Sequence, residues 1–201
     1  MNRFPAPDKD MPPPSPPPAS TGGRTVVLGL GNPVLCDDGV GLAVVRVLRD
    51  LLNREPILGV DVLASTRAGF ELIDLLRDYR RAILVDCLTL PDPQPGRVRR
   101  LAVDDVAGSS RLVNVHELSV GMAFRFAERM GIAMPTDVEI LAVEAADTWT
   151  IAEGLTPAVQ AAVAPLAREI YEDLRRRAPA AEPADTEDFR NRRAFYSPDV
   201  E

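Results

Sequence analysis

Val27–Gly41, VLGLGNPVLCDDGVG, is the stretch on which the reading of this chain turns. It begins inside RTVVLGL (Arg24–Leu30), a short apolar run rich in β-branched residues and closed by glycine, which marks a buried strand. A dinucleotide-binding turn is the first possibility. That turn needs G-x-G-x-x-G at the strand-to-helix junction. Gly29 and Gly31 supply the first half, but Val34 stands where the third glycine belongs. Pro33 removes a backbone N–H that a phosphate would use, and Asp37 and Asp38 would repel a pyrophosphate. The Walker pattern is absent, with no lysine after the loop. Acidic residues at a helix start also have an ordinary role, complementing the dipole and capping free N–H groups. Two in succession exceed what capping requires.

On either side of this stretch, strands and helices alternate. VGLAVVRVLRDLLNR (40–54) places Leu42, Val45, Leu48, Leu51 and Leu52 on one helical face. ILGVDVL (57–63) predicts a second strand, and GFELIDLLRDY (69–79) a helix with Leu72, Leu75 and Leu76 inward. RAILVDCL (81–88) predicts a third strand ending near Asp86. GRVRRLAV (96–103) reads as an outer strand whose arginines form a solvated face. NVHELSVGMAFRFAERMG (114–131) predicts a helix. Asn114 and Glu117 have the offset of a capping box, and Gly131 supplies the stop. DVEILAVEA (137–145) is a strand. The last helix follows Thr156 as N-cap and Pro157 at its first position, with Pro165 as an expected kink. The alternation predicts a three-layer α/β fold: a twisted, mainly parallel sheet with helices on both faces. Residues 1–23, proline-rich as in MPPPSPPPAS, and 178–201 lack apolar periodicity and are expected to be disordered, leaving a folded domain over 24–177.

Composition narrows the function. A net charge of −7 argues against nucleic acid as partner, since phosphate contacts need clustered lysine and arginine. No apolar run approaches the ~20 residues that cross a bilayer, so no membrane segment is expected. The first residues, MNRFPAPDKD, lack the apolar centre of a secretory signal. Two cysteines are too few for a disulfide scaffold. The expected setting is cytoplasmic.

In an open parallel sheet, ligands sit beyond the carboxyl ends of the strands. Asp37 and Asp38 follow the first strand, Asp86 ends the third, and His116, the single histidine, opens a later helix. Asp, Asp and His suit a divalent metal with open water positions, although their wide separation leaves spacing alone indecisive. Cys36 and Cys87 each lie within two residues of a proposed ligand. They read as small buried side chains, the alternative being soft ligation of a thiophilic metal. Met122, Phe124 and Phe126 read as helix packing. Trp149, in EAADTWTIAEG, is expected to cover the sheet rather than line the cleft.

In these residues the chain resembles the hydrogenase maturation endopeptidases. The likeness is carried by VLGLGNPVLCDDGVG, AGFELIDLLRDYRRAILVDC, NVHELSV and VEILAVEAADTWTIAEGLTPAV, which lie within residues 25–177. The resemblance implies a phosphorylase/hydrolase-like α/β fold and a peptidase working through carboxylates. Its substrate would be the immature large subunit of a nickel–iron hydrogenase. The peptidase would recognise nickel already installed there and remove a C-terminal extension, which activates the hydrogenase. Matched by motif, the metal site falls on Asp38, Asp86 and His116. The divalent metal would be nickel supplied by the precursor, with Asp38 or Asp86 as catalytic base. Asp37 is expected to cap or to support the ligands. A monomer is expected.

The family's acidic, double-glycine turn after the second strand is replaced here by ASTRAG (Ala64–Gly69), with Arg67 in it. That change keeps open a non-catalytic, chaperone-like module that grips the nickel site without cutting. A peptidyl-tRNA hydrolase shares GLGNP but needs a histidine block near the first loop. No histidine precedes His116, so that alternative is set aside.

Overall fold

The structure, a computed structural model, describes residues 23–66, 69–103, 105 and 115–178. Its elements are β1 (Thr25–Leu30), α1 (Val40–Arg54), β2 (Val60–Ser65), α2 (Glu71–Leu76), β3 (Arg81–Leu88), β4 (Val98–Leu101), α3 (Val115–Arg129), β5 (Asp137–Glu144) and α4 (Pro157–Arg177). The strands form one sheet in the order β2-β1-β3-β5-β4. Pairings β1–β2, β1–β3 and β3–β5 are parallel, and β4 runs antiparallel along β5. The mainly parallel, three-layer expectation therefore holds.

Two apolar cores explain the layers. On one face Val27, Ile83, Val85 and Cys87 pack against Val44, Val45 and Leu48 of α1 and Val163, Leu166 and Ile170 of α4. On the other, Val26, Leu28, Ala82 and Leu84 meet Leu72 and Leu76 of α2 and Val120, Ala123 and Ala127 of α3. All eight residues of β3 are buried, as expected of a central strand covered on both faces.

Several local expectations shift. The second strand begins at Val60 rather than Ile57, because Gly59 turns the chain first with φ of 75°. The inward face of α1 is Val44, Val45 and Leu48, while Leu42 is only partly buried. The reason is Gly41: a β-carbon there would lie 2.3 Å from both the Leu30 and Val85 carbonyl oxygens. This contact lays the Gly41 side of the helix directly on β1 and β3. Pro165 sits inside α4, which runs unbroken from Pro157 to Arg177. The stop at Gly131 is as expected. With φ of 65° it donates its N–H to Glu128, while Ile132 donates to Ala127, which satisfies the last carbonyls of α3. Asn114, its proposed cap, lies outside the described residues, as do Arg67, Ala68 and the two terminal segments. Among the described residues no helix is long and apolar enough to cross a membrane.

The arginines of the edge strand are not a free solvated face. Arg99 Nε donates to Glu144 Oε1 at 2.7 Å, with Arg97 3.9 Å from the same oxygen. Arg100 pairs with Glu139 and Glu169. Glu144 is fully buried and also accepts the Gln94 N–H at 2.6 Å. Burial pushes its carboxyl upward, but the Gln94 N–H and the two guanidinium groups outweigh this and hold it below the ordinary value. A carboxyl lowered on folding contributes stability above its unfolded pKa of about 4.3, lost as pH falls through the folded value. Glu144→Gln should therefore melt well below wild type at pH 7. The gap should shrink as pH drops from about 5 toward 3, in thermal melts followed by circular dichroism.

Candidate active site

The turn after β1 is built on close backbone contact. Gly31 has φ of 139°, and a β-carbon there would lie 1.8 Å from the Asp38 carbonyl oxygen. Only glycine lets the strand exit this tightly against the following turn. The chain then forms a single 3-10 turn, Cys36–Gly39, which runs directly into α1. Asp37 and Asp38 are both buried in it.

The two aspartates do different work. Asp37, fully buried, reaches across to the segment between β5 and α4. Its Oδ2 accepts the N–H groups of Ala146 (2.8 Å) and Asp147 (3.0 Å). Its Oδ1 accepts the Thr156 N–H at 2.7 Å, and the Thr156 hydroxyl donates to Oδ2 at 3.0 Å. Thr156 holds the N-cap position of α4, as expected, but its hydroxyl serves Asp37 rather than its own helix. Asp37 makes no cap bond to its own turn. Its role is to clamp a distant loop, which no local sequence signal announces.

Asp38 faces the sheet. Its Oδ2 accepts the Asn32 N–H at 2.8 Å, and its Oδ1 accepts from the Cys87 thiol at 3.0 Å. Asp86, on β3, accepts the Cys87 N–H on Oδ1 at 2.8 Å. One ligand atom each from Asp38, Asp86 and Cys87 lies within 4.8 Å of the others, and all three residues are buried. Asp38 is the most open of them at 7% exposure. The meeting point follows from topology. β2 lies on one side of β1 and β3 on the other, so chain connections diverge at the carboxyl ends of β1 and β3. This is where an open α/β sheet forms its ligand crevice.

The sequence-derived set is thus brought together in part. Asp38 and Asp86 converge. His116 lies in the first turn of α3, and its side chain falls outside the described residues. The short link from Arg129 to Asp137 ties the far end of α3 to the start of β5. Cys87 joins the cluster, while Cys36, half-buried with φ of 44°, does not.

The clamped loop also pairs with the turn after β1. Cys36 donates its N–H to the Ala152 carbonyl at 3.0 Å, and Ala152 returns one to Val34 at 3.1 Å. Trp149 does not cover the sheet as expected: it is 84% exposed, beside Ile151 at 82%. Asp147 fixes this display by accepting from the Thr150 hydroxyl (2.5 Å) and the N–H groups of Thr150 and Trp149 (2.9 Å each). Those bonds, the hydroxyl first, hold its carboxyl below the usual range. Phe126, read as packing, is partly exposed and meets Phe70 with ring centroids 4.7 Å apart.

The division of labour is measurable. Asp37→Asn turns an amide donor toward N–H and O–H donors and should cost about 2–3 kcal/mol of stability. Urea titration should show that loss as a lowered midpoint with an unchanged slope.

The sequence profile of the hydrogenase maturation protease family (HycI) matches residues 43–173. The hydrogenase 2 maturation protease of Escherichia coli is 26% identical over 156 residues, 76% of this chain and 91% of that one. HupD, a hydrogenase expression/formation protein of Bradyrhizobium diazoefficiens, is 26% identical over 152 residues, 74% of this chain and 77% of its own. In fold, the chain is similar to the E. coli maturating endopeptidase HybD, with a TM-score of 0.64 at 23% identity, over 76% of this chain and 93% of that one. Matching more than half of the chain, the profile identifies it as a member of the hydrogenase maturation protease family, and so as a peptidase.

Proposed function

We propose that this chain removes the C-terminal extension of the large subunit of a nickel–iron hydrogenase after nickel has been inserted. The observation that carries the reading is the convergence of Asp38 and Asp86 in the crevice between β1 and β3, in a chain of this family. Two carboxylates within 4.8 Å form a hard, anionic donor set that suits a divalent cation. Asp38, Asp86 and His116 are the residues proposed to hold it, and in the working complex it is the nickel that the precursor brings as part of the substrate. That ion supplies a fixed point for the scissile peptide and polarises the attacking water or the carbonyl.

The chain's own groups do the remainder. Asp38 or Asp86 accepts the proton of the attacking water, and that proton returns to the leaving amine as the C–N bond breaks. The Asn32 N–H on Asp38 and the Cys87 N–H on Asp86 hold each carboxylate in orientation, which supports the base role by removing rotational freedom. The exposed Trp149 and Ile151, on the loop that Asp37 clamps, offer apolar surface to the precursor. This reading places the chain in the cytoplasm as a monomer whose partner is the immature large subunit.

The test incubates nickel-loaded precursor with the chain and weighs the large subunit by mass spectrometry. Wild type should shorten it by one discrete segment. Asp38→Asn, Asp86→Asn and His116→Ala should each slow trimming at least about 100-fold while keeping a cooperative thermal transition. Trimming by all three variants at the wild-type rate would refute the assignment. Wild type that binds the precursor and leaves it whole would make the chain a non-catalytic grip.

A further inference from the structure

We propose that Cys87 is a metal ligand, so that the crevice offers a mixed sulfur–oxygen site rather than one of carboxylates and imidazole alone. The inference deepens the metal-linked reading of Asp38 and Asp86 and rests on it. Two observations carry it. The Cys87 sulfur, one Asp38 oxygen and one Asp86 oxygen lie mutually within 4.8 Å. Bonds of about 2.3 Å to sulfur and about 2.1 Å to oxygen span about 4.4 Å end to end, a separation comparable to that of the three ligand atoms. The thiol already points at the ligand carboxylate, 3.0 Å from Asp38 Oδ1, in the direction a shared ion would occupy.

The backbone explains how consecutive residues of one strand serve one site. Asp86 and Cys87 point to opposite faces of β3, and Cys87 faces the α1 side. Asp38 enters from the turn that leads into α1 and completes the cluster over the strand end. The other thiol, Cys36, is just two residues from Asp38 yet stands outside the group.

Ligation balances simply. The divalent ion bonds to the sulfur, and the thiol proton, held between Cys87 and Asp38 beforehand, leaves to solvent. No redox change is involved. The thiolate shifts preference toward nickel, cobalt, zinc or cadmium and away from magnesium or calcium.

Cobalt(II) tests this directly, because a cobalt–thiolate bond adds a charge-transfer band in the near ultraviolet. The full chain, kept reduced, is titrated with cobalt(II) alone. Wild type and Cys36→Ser should both develop the band. Cys87→Ser should lack it and bind cobalt at least about tenfold more weakly. A band that survives Cys87→Ser or vanishes in Cys36→Ser, cobalt bound without a band, or no binding at all would each overturn the proposal. Should Cys87→Ser fail to fold, X-ray absorption on wild type with zinc decides. A sulfur neighbour at about 2.3 Å supports the ligand, and a shell of oxygen and nitrogen alone refutes it. Since the readout is metal binding by the isolated chain, its failure leaves the peptidase reading standing, and failure to trim a precursor leaves the thiolate assignment standing.

Discussion

The carboxylate–amide clamp of Asp37 is the interaction on which the crevice depends. A buried carboxylate is tolerated only when hydrogen bonds replace its water, and Asp37 receives four, from Ala146, Asp147 and twice from Thr156. One side chain thereby ties the turn after β1 to the end of β5 and the start of α4. The tie fixes the position of the next residue. With Asp37 directed outward to the loop, Asp38 is directed inward to β3, where Asp86 and Cys87 wait. The glycines add a steric condition. Gly31 lets the turn fold back onto β1, and Gly41 lets α1 rest on the carbonyls of Leu30 and Val85. A larger residue at either position would move Asp38 away from the strand ends.

The same arrangement explains why chemistry belongs here. Two carboxylates held close in a buried place are costly for a fold and useful for a cation site. They sit at the switch point of the sheet, where diverging connections leave room for a ligand. Elsewhere among the described residues, buried charges are matched by opposite ones. Glu144 is matched by Arg99 and Arg97, and the buried Arg81 by Asp137, Glu139 and Asp173. The Asp38–Asp86–Cys87 group is the one cluster of at least three metal-ligating residues found among the described residues.

Most of the architecture was legible because period and punctuation agree. The eight apolar or central residues of β3, the strand-closing Gly29 to Gly31 and the stop at Gly131 each carry a physical requirement visible in one dimension. The aspartates of the crevice were legible as types, since acidic residues at strand ends in such a sheet point to ligands. What sequence did not carry was direction across space. Residue type does not tell Asp37 from Asp38: the partners of Asp37 lie more than 100 residues away, and Asp38, besides the nearby Asn32 N–H, meets Cys87 49 residues on. Trp149 was misread for the same reason. An indole is usually covered, but here the Asp147 turn lifts it into solvent. The inward face of α1 was displaced by a glycine contact that helical periodicity cannot encode.

The proposed chemistry requires Asp38 and Asp86 to share one ion. Crystals of the full chain grown with zinc, with diffraction recorded on both sides of the zinc absorption edge, test it most directly. The account predicts an anomalous peak within about 2.0–2.2 Å of a carboxylate oxygen from both residues. A peak touching neither, or well-ordered side chains turned away from each other with no ion between them, would contradict it.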